Sequence, residues 1–180
     1  MSIPSSSGAG LPLPRWAYVP GAAADAEADY DTLAQVMALV PSRFREFVPA
    51  RHPALRYGLV LNDHGFFWES QQVLEAVWAA APQGGRERVL LRACIQIAGA
   101  NLKLRMLKSP AAMRLFGQAL GELGTLSLHR TAGGDGVADG IPIAALSAQL
   151  KVKLAQPLLS MADWVKIGAP PAAYERKCTL

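Results

Sequence analysis

Two carboxylates and two carboxamides lie between two tryptophans in one short run: Trp68, Glu69, Gln71, Gln72, Glu75 and Trp78. A carboxyl group whose pKa is raised by burial can exchange protons near neutral pH, which suits general acid–base work. Gln71 and Gln72 donate and accept hydrogen bonds but do not ionise. All six residues fall within Phe66 to Ala81, a stretch free of Gly and Pro and bounded by Gly65 and Pro82. It reads as one helix. At about 100° per residue, Trp68, Gln71, Gln72, Glu75 and Trp78 share a broad sector, with Val73 and Val77 on the opposite side. Apolar residues occur all the way round, which predicts a helix packed on several sides. Glu69 and Glu75 then need partners, because a buried unpaired carboxylate is costly.

The next long run can supply them. Arg86 to Lys108 holds one Gly, Gly99, and no Pro, so it also reads as a helix. Arg88, Arg92, Gln96, Gly99 and Lys103 lie near one face by i, i+3/i+4 spacing. Leu90, Ala93, Ile97, Ala100 and Leu104 form an apolar stripe. The two helices are expected to pack as an antiparallel hairpin across Pro82 to Gly85, with Gly99 permitting close approach. The candidate ligand-binding or structural site is therefore a polar seam of Trp68, Glu69, Gln71, Gln72, Glu75, Trp78, Arg92, Gln96 and Lys103.

The run GFFWESQQVLEAVW, followed by Cys94-Ile95-Gln96-Ile97-Ala98 and by Ala112 to Leu123, resembles the domain of unknown function 309 family of small helical proteins. The family motif runs Asn/Asp-x-Gly-x-aromatic-Trp-Glu-x-His-Glu-x-x-Glu-x-x-Trp. Asp63, Gly65, Phe67, Trp68, Glu69, Glu75 and Trp78 match it, and Ile95 and Gln96 match the Ile-Gln pair that follows. The resemblance covers roughly Pro53 to Leu123, with a fainter echo at Tyr18-Val19-Pro20-Gly21. It implies an all-helical fold and brings no assigned activity. The family's His-Glu pair is Gln71-Gln72 here. A His and two carboxylates on one helix can bind a metal or move protons, whereas two carboxamides do neither at neutral pH. The departure implies a site that is lost or kept only for binding.

The rest of the chain has to position these residues. With 180 residues, 51% hydrophobic and 18% charged, it has the length and balance of one all-α domain. We expect a bundle of about five to six helices, with residues 1–22 as a flexible or extended arm, 23–159 as the helical domain and 160–180 as a tail. Trp16, Tyr18 and Val19 are candidates to pin the arm. Helices are expected over Ala23 to Val40, Pro53 to Asn62, from Ser109-Pro110 to near His129, and over Ala144 to Gln156, with a short helical turn at Ser42 to Val48. Asp63 is expected to cap the central helix. Thr131 to Gly140 reads as a loop, and Trp164 and Tyr174 as anchors of the tail.

Several function classes lack support. Arg92 and Lys103 interrupt the best apolar run, so no membrane span is expected. The N-terminus has no signal-peptide pattern, and Cys94 and Cys178 make no disulfide framework, which points to a cytoplasmic protein. His52, His64 and His129 are scattered, and Cys94 sits in an apolar helix, so neither a metal nor another cofactor is expected. The net charge is +4, and Arg86 to Arg114 carries seven Lys/Arg against one acid, Glu87. Such a stretch can attract nucleic acid. No nucleic-acid motif accompanies it, and a solvated helix face with internal pairing to Glu69, Glu75 and the acids of Asp25 to Asp31 explains it better. The leading reading is a non-catalytic module binding a protein or small molecule at the seam. A hydrolase-like enzyme using Glu69 or Glu75, and nucleic-acid binding through residues 86–114, are the alternatives. The seam can also be a purely structural network that fixes helix register.

Overall fold

Proline and glycine set the helix boundaries. Pro53 opens a helix at its first turn, where a missing N–H costs nothing. Gly65 takes a φ of 88° in the tight turn before the central helix. A computed structural model describes residues 11–22, 27–127, 140–156 and 158–168. Six helices pack together among them: α1 (Tyr30–Met37), α2 (Pro53–Asp63), α3 (Phe67–Ala80), α4 (Arg86–Arg105), α5 (Ser109–Ser127) and α6 (Ile143–Leu154). No strand occurs among the described residues, so the fold is all-α.

The helix pairs run antiparallel, as the contacts along them show. On α3 and α4, Trp78 meets Arg88, Gln71 meets Gly99, and Gly65 just before α3 meets Arg105. On α4 and α5, Gly99 lies near Leu115 and Arg92 pairs with Glu122. α4 is thus central, with α3 and α5 on either side, and α6 packs on α5. Two glycines allow close approach between helices. A β-carbon on Gly58 would stand 2.8 Å from Leu74, and one on Gly99 would stand 2.8 Å from the Gln71 amide. The core runs from Leu55 and Tyr57 through Phe67, Leu74, Leu91 and Ile97 to Phe116, Leu123 and Leu150, all fully buried.

Some expected elements differ, each because a tertiary contact overrides local preference. α1 is shorter than Ala23 to Val40, of which residues 23–26 lie outside the described residues. Trp16 Nε1 donates to Glu27 O at 2.7 Å, and the Asp29 carboxylate is taken by Arg15, so 27–29 stay out of the helix. Residues 42–48 form no helix. Phe44 N–H donates to Ala80 O and Val48 N–H to Glu87 Oε2, which ties them down as irregular chain. Asp63 does not cap α3. Its carboxylate turns to the C-terminal segment and accepts Ile167 N–H at 2.7 Å and Gly168 N–H at 2.8 Å. Tyr174, Cys178 and most of the loop at 131–140 lie outside the described residues.

The segment Trp164–Gly168 forms a strap across the bundle, held by side chains that act as a strand partner would. Asn101 donates to Val165 O at 2.8 Å and accepts Val165 N–H at 3.1 Å. Gln149 does the same for both backbone groups of Lys166, at 3.2 Å each. Val165 and Ile167 are buried as a result. Lys153 Nζ fixes the preceding turn, donating to Ser160 O and Asp163 O.

The corner between α4 and α5 is unusual. Lys108 N–H donates to Lys103 O and Leu107 N–H to Leu104 O, the bonding of a Schellman helix end. Its left-handed position, usually glycine, is Leu107 with a φ of 59°. A side chain there costs roughly 1–2 kcal/mol. Leu107 is 89% exposed, so packing within the chain does not offset that cost.

Candidate functional site

The central helix carries its polar side chains in two separate directions. Glu69 points to the side covered by the N-terminal segment, while Gln71 and Trp78 point to α4. The nine nominated residues therefore form two places rather than one seam.

The first place is the Glu69 carboxylate, which is fully buried. Its Oε1 accepts Tyr18 N–H at 2.6 Å. Its Oε2 is buried and meets no hydrogen-bond donor among the described residues. Burial pushes the Glu69 carboxyl up from its ordinary pKa, and the backbone amides of Tyr18 and of Glu69 itself and the Arg105 charge offset this only in part. Arg105 is itself held in the structure. It donates to Gly65 O and lies 4.3 Å from the Phe67 ring centroid. Trp68, the preceding residue, has its ring edge-on to Tyr18 at 4.9 Å and to Tyr30 at 6.1 Å.

The cover over Glu69 is residues 11–22, pinned by Trp16 on Glu27 O and at three further points. Tyr57 Oη donates to Pro12 O at 2.6 Å, Arg15 grips Asp29 through its backbone N–H and its guanidinium, and Tyr18 binds Glu69. The Arg15 bonds hold the Asp29 carboxyl down at about 2, and burial raises the Tyr57 hydroxyl to about 12. Two carboxylates thus anchor one segment with opposite shifts. Asp29 is gripped by a cation, whereas Glu69 relies chiefly on backbone amides.

The second place is the face of α4 between α3 and α5. Gln71 packs on Gly99, and Gln96 one turn away has a buried Oε1 without a donor among the described residues. The expected pairing of the α4 bases with Glu69 and Glu75 does not occur. Arg92 Nε pairs with Glu122 of α5 at 3.0 Å, and Glu75 is exposed. Gln72 and Lys103 are half-buried. Trp78 Nε1 donates to Arg88 O at 3.1 Å, and the Arg88 guanidinium covers the Trp78 ring at 3.9 Å while donating to Trp78 O and Ala81 O. Arg88, Arg92 and Arg105 are therefore engaged within the bundle, which leaves less of the 86–114 stretch free for a polyanion. Cys94 is fully buried and its thiol is pushed up to about 12, the state of an inert core residue.

Sequence reasoning missed a third polar centre, Asn62 and Asn101. Both are fully buried. Asn101 Nδ2 donates to Asn62 Oδ1 at 2.8 Å, and both amides reach Val165 O. A signal was present, since each carboxamide interrupts an apolar helical stripe, Leu55-Leu59-Asn62 and Ile97-Asn101. A cavity of about 320 Å³ lies against the same strap, lined by Pro142, Ala145, Leu146, Gln149, Lys166, Ile167 and Gly168, with none of the nominated residues on its wall. Among the described residues no cluster of three or more His, Cys, Asp or Glu is placed to hold a metal, and no helix is long and apolar enough to cross a membrane.

Residues 55–115 match the family model described as Domain of unknown function (DUF309). This stretch is a DUF309 domain. The match is shorter than the expected Pro53 to Leu123 but contains Glu69, both seam helices' polar residues and the Asn62–Asn101 pair. The chain matches no curated protein and no solved structure. The groups that close the two buried centres come from outside the DUF309 match: Tyr18 over Glu69, and Val165 over Asn62 and Asn101. The domain supplies the polar anchors, and the flanking segments cover them.

Proposed function

We propose that the chain is a non-catalytic binding module that takes a cationic or N–H-donating group, from a small molecule or a protein side chain, at Glu69. The observation that carries this reading is the unpartnered Oε2 of a fully buried carboxylate. A buried acceptor without a donor costs about 1–3 kcal/mol. A ligand bringing an ammonium or amide N–H would offset that cost, and Trp68 and Tyr18 beside it would offer ring faces to the same cation. Entry would require the 11–22 segment to lift at Tyr18. Proton transfer by Glu69 is the second reading, favoured by its raised pKa. Gln71 and Gln72 leave it without an ionisable companion on the same helix turn.

The test is native mass spectrometry of the purified chain, beside tryptophan fluorescence titrated with a panel of primary and quaternary amines. Glu69→Gln keeps the acceptor for Tyr18 and removes the charge. An adduct or amine response that the wild type shows and Glu69→Gln loses would support the reading. No adduct and no response, with Glu69→Gln altered only in stability, would make Glu69 a structural anchor.

A further inference from the structure

The end of the bundle where α3 begins carries two exposed patches of opposite character. On one side, Tyr30 is 60% and Trp16 45% exposed, beside exposed Glu27 and Asp31. Arg15, the base within this patch, is neutralised by Asp29. On the other side, Leu107 is 89% and Met113 45% exposed, beside exposed Lys108 and Arg114. From Arg88 to Gly121 the chain has no acidic residue.

The first turn of α3 places both patches at one end. Trp68 touches Tyr30, and its neighbour Phe67 supports Arg105, two residues before Leu107. Arg105 also reaches back to Gly65 at the start of the same helix. The end face of the bundle thus carries an aromatic, acidic patch and an aliphatic, basic patch.

We propose that this face is a two-fold dimer interface with a second copy of this chain. In a two-fold contact the acidic patch of each copy meets the basic patch of the other, and the assembly closes with no patch left over. Charge complementarity selects the partner, and the exposed aromatic and aliphatic groups supply apolar area to bury. The geometry at Leu107 fits the same role. A leucine holding glycine's conformation in full exposure is strained for nothing in a single copy, whereas at an interface its side chain is what the partner covers. These observations are separate from the unpartnered oxygen of Glu69.

Sedimentation velocity of the full chain tests this. The wild type is expected at twice the 19.2 kDa chain mass, with dissociation promoted by salt. Leu107→Gly should weaken the dimer about ten-fold while raising the melting temperature of the dissociated chain by about 2–4 °C through relief of the backbone strain. Lys108→Glu/Arg114→Glu and Glu27→Lys/Asp31→Lys should each be monomeric alone, and their equimolar mixture should restore a dimer, because both contacts then pair opposite charges. Circular dichroism confirms that each variant is folded. A wild type that stays monomeric up to submillimolar concentration would overturn the proposal. So would a dimer indifferent to Leu107→Gly and to both swaps, or a mixture that fails to reassemble.

Discussion

Glu69 and the Asn62–Asn101 pair perform the same structural task with different success. Each is fully buried in the DUF309 domain, and each holds a flanking segment by its backbone. The asparagines bring both donors and acceptors, so Asn101 satisfies the N–H and the C=O of Val165 together. Every amide hydrogen and oxygen of the pair is used. A carboxylate is acceptor-only when ionised. Glu69 can take Tyr18 N–H but offers nothing to a carbonyl, and its second oxygen is left over. The neutral pair makes a finished clamp. The carboxylate makes an anchor with spare capacity, and that surplus separates a candidate site from a structural one.

The sharpest way to break the comparison is at the clamp. Asn101→Leu removes three hydrogen bonds, leaving the Val165 N–H without a partner in the core and its C=O with Asn62 alone. We expect a loss of about 3 kcal/mol, seen as a fall of about 6–12 °C in the melting temperature. Amide exchange at Val165 and Ile167 should accelerate first as the strap loosens. A loss no larger than an ordinary surface substitution would show that apolar burial of Val165 and Ile167 holds the strap unaided.

At the other centre the sign reverses. Glu69→Gln should raise stability at pH 7 by about 1 kcal/mol, because it removes a buried charge and keeps the Tyr18 bond. The pH dependence follows from the raised pKa of Glu69. The folded chain holds that proton more tightly than the unfolded chain, so the cost of ionisation is full above the folded pKa. It disappears as pH falls toward the ordinary glutamate value of about 4.3. The wild type should therefore recover stability on acidification through this window, and Glu69→Gln should not. Urea melts at a series of pH values read both effects, and parallel curves for the two proteins would refute the assignment.

The helices were legible in the sequence because their signals are local. Pro53, Pro82 and Ser109-Pro110 punctuate the chain, and the apolar stripe of α4 has an unbroken period. Gly99 as the point of close approach to α3 was legible for the same reason, a lone glycine on a polar helix face. The division of the polar residues between two places was not. Spacing on α3 gives the angle between Glu69 and Gln71, yet it does not say that residues 11–22 rather than α4 cover Glu69. Asp63 was misread as a helix cap because its true partners, Ile167 and Gly168, lie more than a hundred residues away. Each of these failures is a long-range hydrogen bond to an irregular segment, which no helical period reports.

A smaller effect sharpens the comparison within the N-terminal segment, where Asp29 and Glu69 are the two carboxylate anchors. Asp29→Asn removes the ion pair with a largely exposed Arg15, so we expect a cost of about 0.5–1 kcal/mol at neutral pH. Because the folded Asp29 carboxyl is held down at about 2, its contribution is complete above the ordinary aspartate range. It fades as pH falls from about 4. Acidification thus relieves Glu69 first, above the ordinary glutamate value, and weakens the Arg15 anchor only below it. Exchange of the Tyr18 amide in Asp29→Asn shows whether the two anchors act together. Faster exchange means that releasing Arg15 frees the cover over Glu69, and unchanged exchange means that Tyr18 is held by Glu69 and the ring contact with Trp68 alone.

The smallest effect belongs to Arg92. It was one of the α4 bases expected to pair with the α3 carboxylates, but its partner is Glu122 on α5, and its side chain is half exposed. A solvated pair of this kind contributes little once side-chain entropy and screening are counted. Arg92→Ala should cost less than about 0.5 kcal/mol and leave the acid recovery attributed to Glu69 unchanged. Arg92→Ala/Glu122→Ala should then show near-additive losses. A cost well above this, or a shift in the Glu69 profile, would mean that the α4 face and the buried carboxylate are electrostatically coupled through α3. The two places would then have to be treated as one site, as their spacing in the sequence first suggested.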